Sequence, residues 1–226
     1  MASIRRVLVS FAAENPTPMF ELFVTIFAAL FSVVNPMGAV PFFLGMTPDY
    51  TPQERNHTAL MSSIFFVLIL LSFFFAGTAI LSFFGITINA MRIAGGLIIM
   101  SSGYALLQGK FAESRAINKK VREETLAKED ISFSPMAMPM LSGPGSISLL
   151  IGMYNEYEGW NEKFMVAGTV VFLGVIIYFI LRSSPMLFRV LGVTGLKALS
   201  RIMGFLVMAI GIEFIIDGVV NLVASK

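Results

Sequence analysis

Six long apolar stretches dominate the chain, and each is long enough to cross a membrane. A crossing helix needs about 20 predominantly apolar residues. The stretches are Phe20 to Leu44, Thr58 to Phe84, Ile86 to Leu107, Phe133 to Tyr154, Phe164 to Leu181 and Ile202 to Val223. Runs such as residues 64–71 are apolar on every face, whereas strands of a membrane barrel alternate in polarity over about 10 residues. The pattern predicts an all-helical protein with six spans.

The composition supports an integral membrane protein and excludes several kinds of site. The chain is 56% hydrophobic and 13% charged, with a mean hydropathy of +0.81, whereas a soluble domain carries about 25% charged residues. It has no cysteine and a single histidine, His57. Disulfides, thiolate or histidine-rich metal sites and a cysteine nucleophile are therefore excluded. We expect no enzyme activity, no metal and no cofactor, because no motif pairs a serine with a base.

The distribution of positive charge predicts how the chain lies in the membrane. The loops after the first, third and fifth spans share one side and hold 11 of the 16 Lys and Arg residues, which predicts that this side is cytoplasmic. Both termini then lie outside a cell (inner) membrane. The formal net charge of only +2 and the scattered basic residues do not favour nucleic acid as a partner. We interpret residues 1–19 as a retained N-terminal tail rather than a cleaved signal peptide.

Two interruptions of the apolar pattern recur about 108 residues apart. Pro36 and Pro144 each follow a polar or glycine residue, and matching Arg-Ile segments begin 56 and 57 residues later, at Arg92 and Arg201. This spacing predicts two repeats, residues 20–107 and 133–226, joined by a charged cytoplasmic linker at residues 108–132. Three crossings per repeat make the second repeat enter from the opposite side. The predicted fold is therefore six transmembrane helices in two inverted three-helix repeats, with broken first and fourth helices.

The two breaks are the candidate substrate site. Lipid offers no hydrogen bonds, so helix-breaking residues, including Pro41 and Pro139, belong where protein or a polar cavity covers the backbone. Half-helices that begin at the breaks would present free amide groups and a positive dipole end to an anion. The candidate substrate-binding residues are Asn35, Pro36, Met37, Gly38, Ser142, Gly143, Pro144, Gly145 and Ser146. These neutral groups favour a small zwitterion or neutral polar molecule.

Charged residues inside spans are costly and need a reason. Glu213 lies in the sixth span, and Arg92 begins the third from the same predicted side. Two interpretations stay open for them: a structural ion pair, or an ion-coupling role in which Glu213 takes up a proton. Gly95, Gly96, Gly103, Gly204 and Gly211 are interpreted as sites of close helix packing.

Several motifs together resemble the MarC family of six-span membrane proteins over nearly the whole chain. The motifs are Asn35-Pro36-Met37-Gly38 with Pro41, Glu54-Arg55-Asn56, Phe84-Gly85-Ile86, Arg92-Ile93-Ala94-Gly95-Gly96, Pro139 with Ser142-Gly143-Pro144-Gly145, and Ser200-Arg201-Ile202-Met203-Gly204 through Gly211-Ile212-Glu213-Phe214-Ile215. The resemblance implies transport of small neutral amino acids such as glycine, alanine and serine. It also brings an older label, multiple antibiotic resistance.

The sequence thus predicts a secondary transporter of small neutral amino acids that works by alternating access. Its other expected partners are the lipid bilayer and a proton or sodium ion as the coupling ion. The alternatives are a passive channel, or an exporter of other small solutes, including drugs. The direction of transport and the oligomeric state stay open.

Overall fold

A computed structural model describes residues 18–47, 49–108 and 131–224, and helices make up nearly all of these segments. In chain order the elements are α1 (Pro18–Val34), α2 (Pro36–Met46), α3 (Pro52–Phe83), α4 (Ile88–Leu107), an irregular helical segment (Ser132–Leu141), α5 (Pro144–Glu156), α6 (Trp160–Arg182) and α7 (Ser184–Ala224). No strand occurs in these segments. The all-helical class is confirmed.

The number of candidate spans agrees with the apolar pattern. Five helical stretches are long and apolar enough to cross a membrane, and one of them, Met19–Met46, combines α1 and α2. The sixth is a bent pair, in which the irregular segment Ser132–Leu141 and α5 meet at 64°. The first and fourth predicted spans are thus the ones interrupted, at Asn35 and at Ser142–Gly143.

Two expectations about breaks and loops are wrong. Pro41 lies inside α2, which continues to Met46, so only Pro36 interrupts this span. The predicted loop before the sixth span is helical, because α7 begins at Ser184 and bends at Gly192, which has a φ of 61°. A proline in the interior of a helix removes one backbone hydrogen bond and usually kinks or breaks the helix, but α2 continues for five residues past Pro41. The 108–132 linker and the 1–19 tail lie almost entirely outside the described residues.

The glycines of α4 and α7 bring these two helices into backbone contact. A Cβ atom added to Gly96 would lie 2.7 Å from the carbonyl oxygen of Gly211, and one added to Gly103 would lie 2.7 Å from that of Gly204. The partners run in opposite order, so α4 and α7 are antiparallel. The predicted packing role of these four glycines is confirmed.

The remaining helices surround this pair. α2 packs against α7 and α5 packs against α4, while α3 and α6 contact each other and complete the bundle. Fully buried side chains such as Phe66, Phe74, Ile99 and Leu173 form the core. The two short helices α2 and α5 are therefore held against the bundle, with Pro36 and Gly38 buried at the start of α2, and with Gly145 and Ser146 buried but Pro144 exposed at the start of α5.

Candidate functional site

The first break is built around Asn35, which ends α1 and caps α2. Its backbone is left-handed, with φ 48° and ψ 62°, a conformation that asparagine tolerates better than most residues. The following Pro36 disfavours a right-handed helical backbone at Asn35. The Asn35 N–H donates to Phe31 at 2.9 Å, and its side-chain oxygen accepts from the Gly38 N–H at 3.2 Å. The side chain therefore accepts a hydrogen bond from one of the otherwise free amide groups at the start of α2.

The nitrogen of the Asn35 side-chain amide has no hydrogen-bond partner among the described residues. Its Nδ2 atom is buried, and no group in the described part of the chain accepts a hydrogen bond from it. The residue as a whole is only 1% exposed. Leaving a buried donor unsatisfied costs about 1–3 kcal/mol. A buried donor beside a helix N-terminus is a group that a bound ligand could satisfy.

Gly38 and Ser200 complete the surroundings of this donor. A Cβ atom at Gly38 would overlap the Asn35 Nδ2 atom and lie 3.2 Å from the Ser200 hydroxyl oxygen. The Asn35 amide thus lies directly on Gly38, and α7 contributes a hydroxyl to the first break. Reasoning from the sequence did not include Ser200 in the site, although the residue belongs to the Ser200-Arg201 motif.

The second break places three polar groups at the start of α5. Gly143 is extended and precedes the helix, and no side chain caps the amides there. The Ser146 hydroxyl donates to the Gly143 carbonyl at 2.9 Å. The Ser142 hydroxyl is buried and has no hydrogen-bond partner within the described segments. The α5 N-terminus is therefore more open to an anion than that of α2, whose Gly38 amide is taken by Asn35.

The structure brings the two breaks together beside α4. A Cβ atom on Gly145 would lie 3.0 Å from Ile99 Cγ1 and 3.5 Å from Val33 Cγ1. Val33 is two residues before Asn35, so the end of α1 contacts the beginning of α5. The candidate residues from positions 35–38 and 142–146, which are about 108 positions apart, thus lie in neighbouring parts of the interior.

Arg92, one of the two ionisable candidates, lies away from these breaks. The Arg92 Nε atom is 4.0 Å from where a Cβ of Gly152 would be, and the Phe214 ring lies 3.3 Å from the same point. Gly152 is seven residues, or about 10 Å, beyond Gly145 along α5. Glu213 is half-buried on α7. A Glu213–Arg92 ion pair stays a prediction, as does a coupling role for Glu213. No group of three or more His, Cys, Asp or Glu residues in the described segments could hold a metal ion.

Comparison with known proteins identifies the family. The family model described as MarC family integral membrane protein matches residues 20–223. This chain belongs to the MarC family. A UPF0056 membrane protein of Buchnera aphidicola (subsp. Schizaphis graminum) is 37% identical over 207 residues, which cover 91% of this chain and 95% of that protein. No solved structure matches the chain.

Two further MarC-family relatives carry names that state where they reside. The UPF0056 membrane protein YhcE of Escherichia coli is 36% identical over 88% of this chain and 93% of its own length. The UPF0056 inner membrane protein MarC of Citrobacter koseri is 36% identical over 92% of this chain and 99% of its own length. With the five to six apolar helices, these relatives establish a multi-pass inner membrane protein. The names state no substrate.

Proposed function

We propose that this MarC family protein is a secondary transporter of small neutral amino acids. One observation carries the proposal: two interrupted spans meet inside the bundle, and each break holds a buried polar group without a partner, Asn35 Nδ2 at the first and Ser142 Oγ at the second. Paired broken helices at corresponding positions of a membrane protein are typical of substrate sites in secondary transporters.

The arrangement of donors favours the second break as the carboxylate site. The uncapped amides at the start of α5, at Gly145 and Ser146, and the positive end of the helix would bind the substrate carboxylate. The Ser142 hydroxyl is a further donor. Asn35 has its oxygen engaged in the cap, so its free Nδ2 can only donate. It would therefore serve a carboxylate or hydroxyl oxygen of the substrate and not its ammonium group. Lone pairs on the Ser146 oxygen would accept from that group.

The surroundings of the breaks favour a small and electrically neutral substrate. Gly38 is covered by the Asn35 amide, and Gly145 lies against Ile99, so little volume is left beside either half-helix. None of the nine candidate residues carries a charge, so a net charge on the substrate would be poorly compensated. Glycine, alanine and serine fit these conditions.

Alternating access by two inverted repeats is the proposed mechanism. The backbone contacts of α4 and α7 support it, because Gly96 and Gly103 are each 108 positions from their counterparts, Gly204 and Gly211. When each glycine is replaced by its counterpart in the other repeat, the Gly96–Gly211 contact becomes the Gly204–Gly103 contact. The two contacts are therefore equivalent under the repeat. The same spacing separates Pro36 from Pro144. Rocking of one repeat against the other would open the site to each side in turn.

Counterflow of radiolabelled glycine, alanine and serine into proteoliposomes tests the proposal. A carrier accumulates label when unlabelled substrate is trapped inside, whereas a passive channel only equilibrates it. We expect saturable counterflow in the unmodified protein. Ser142→Ala should raise the KM for substrate about tenfold, the equivalent of about 1.4 kcal/mol. The matched control is Ser184→Ala, which removes another buried hydroxyl without a partner from the start of α7. No flux of any of the three would refute the amino acid assignment.

The same assay with an imposed ion gradient tests coupling. If protons are the coupling ion and Glu213 carries them, a pH gradient accelerates counterflow in the unmodified protein and has no effect on Glu213→Gln. Acceleration that survives in the variant would place the proton elsewhere. Acceleration by a sodium gradient alone would identify sodium as the coupling ion.

A further inference from the structure

Two cations occupy equivalent places next to the two half-helices, α2 and α5, which begin at the breaks. Arg55 lies 19 residues after Pro36, and Lys163 lies 19 residues after Pro144. Each is the fourth residue of the long helix that follows a half-helix, α3 for Arg55 and α6 for Lys163. Each contacts the end of the half-helix that lies farthest from the break.

Arg55 is hydrogen-bonded to the end of α2. Its Nη2 atom donates to the carbonyl oxygens of Thr47 at 2.8 Å and Tyr50 at 3.3 Å, and its Nε atom donates to the Thr47 hydroxyl at 3.3 Å. Thr47 is the residue that ends α2, and its hydroxyl donates back to Phe43 at 2.9 Å. A cation at a helix C-terminus also interacts favourably with the helix dipole.

The turn that carries Arg55 is itself fixed. The Thr51 hydroxyl accepts from the Glu54 N–H at 3.3 Å, and the Glu54 carboxylate accepts from the Thr51 N–H at 2.8 Å. This reciprocal pair is a capping box, which defines the first turn of α3. The guanidinium group therefore extends toward α2 from a rigid base.

Lys163 contacts the end of α5 through an aromatic ring. Its Nζ atom lies 4.1 Å from the centre of the Tyr154 ring and 5.5 Å from that of Trp160. Tyr154 belongs to the last turn of α5, and its ring packs edge-on against Phe74 at 5.2 Å. A lysine over aromatic faces at these distances makes a cation–π interaction.

We propose that Arg55 and Lys163 are matched positioning residues, each of which holds the far end of a half-helix to the span that follows. The role in transport rests on the proposed function. The half-helices have only 11 and 13 residues, so each behaves as a short rigid rod. A tilt at the far end displaces the groups at the break: at α5 these are the amides proposed to bind the substrate carboxylate, and at α2 the Asn35 side chain that caps the helix. The two contacts also differ in kind: Arg55 makes directed hydrogen bonds, whereas Lys163 makes a less directional contact.

A crossed spin-label experiment tests the two contacts without reference to transport. The chain has no cysteine, so single cysteines can be labelled cleanly. Gly45→Cys, where an added Cβ atom meets nothing within 4 Å, reports on the end of α2, and Asn155→Cys, at an exposed position, reports on the end of α5. We expect Arg55→Ala to raise nitroxide mobility at the first label only, and Lys163→Ala at the second only.

The spin-label experiment has a control at a third cation. Arg182→Ala removes an exposed cation that contacts Tyr178 of its own helix, and we expect both labels to keep their mobility. Unchanged mobility at the label nearest each substituted cation would overturn the proposal. Increased mobility at both labels in either variant would also overturn it, because it would indicate general loosening of the bundle.

Counterflow kinetics then test the link to the site. We expect Arg55→Ala and Lys163→Ala to raise the KM for substrate severalfold at a similar maximal rate. Lys163→Arg should restore KM, because arginine also makes cation–π contacts, whereas Arg55→Lys should not, because one ammonium replaces a fork of donors. An unchanged KM in both alanine variants would overturn the positioning role. Absence of counterflow in the unmodified protein would refute the proposed function, while the spin-label result would still decide whether the two contacts hold the half-helices.

Discussion

Gly211→Ala is expected to destabilise the protein by forcing α4 and α7 apart. The added Cβ atom would lie 2.5 Å from the Met100 nitrogen, 2.7 Å from the Gly96 carbonyl oxygen and 2.9 Å from Met100 Cα. All three atoms belong to the α4 backbone, so no side-chain rotation relieves the overlap. Ordinary van der Waals contact begins at 3.4 Å. The helices would have to separate by roughly 1 Å along this contact.

The magnitude follows from two opposing effects. Overpacking a close contact costs about 1–3 kcal/mol, and separation also weakens the neighbouring contact of Gly103 with Gly204. Replacing glycine by alanine inside a helix stabilises it by about 0.5–1 kcal/mol. We therefore expect Gly211→Ala to lower the free energy of unfolding by about 1–2 kcal/mol.

The matched control makes the same substitution where space is open. Gly168 lies on the exposed face of α6, and a Cβ atom there would meet nothing within 4 Å. Gly168→Ala should therefore raise the free energy of unfolding by about 0.5–1 kcal/mol. Titration with a denaturing detergent in lipid bicelles measures both variants. Equal stability of Gly211→Ala and Gly168→Ala would refute the assignment of a backbone contact between α4 and α7.

Three further predictions concern single residues. Gly38→Ala should displace the Asn35 side chain and lose a cap worth about 1 kcal/mol. The same substitution should cost less in an Asn35→Gly background, and an equal cost in both backgrounds would contradict the overlap. Gly192→Ala should cost about 1–3 kcal/mol in thermal or detergent unfolding, although nothing lies within 4 Å, because φ 61° with ψ −179° suits only glycine. Burial, and then the carboxylates of Glu156 and Glu162, raise the pKa of Tyr157 above its usual value of 10.0. The protein should therefore lose stability as the pH rises above about 10, where the unfolded tyrosine ionises, and Tyr157→Phe should lose less over the same range. An identical pH profile for Tyr157→Phe would contradict the raised pKa.

The apolar pattern predicts the helices well because burial in lipid leaves few alternatives. Backbone groups without water must bond within their own helix, so a long apolar stretch becomes a helix. The second, third and fifth predicted spans correspond to α3, α4 and α6 with ends shifted by a few residues. The glycines at Gly96 and Gly211 could also be assigned to packing, because small residues in membrane helices usually allow close approach.

Other features depend on contacts that the sequence pattern does not contain. Pro36 and Pro41 look alike as helix breakers, yet only Pro36 interrupts a helix. The reason is the left-handed backbone of Asn35, whose N–H completes the end of α1 and whose side-chain oxygen caps the start of α2. The beginning of α7, with its two glycines and its charged residues, resembles a loop, but it is helical on both sides of Gly192, where the backbone leaves the helical conformation and bends. Local composition did not distinguish these cases.

The sequence by itself determined the class of this protein, the family, the approximate spans and the two positions where a membrane helix is interrupted. These follow from hydrophobicity and from the conformational limits of proline, which act locally. Only the tertiary structure decided that Gly145 meets Val33, that the Asn35 Nδ2 atom is buried without a partner among the described residues, and that Ser200 joins the first break. Such pairings arise from the packing of helices distant in sequence, and a hydrogen bond's direction depends on where its partner finally lies.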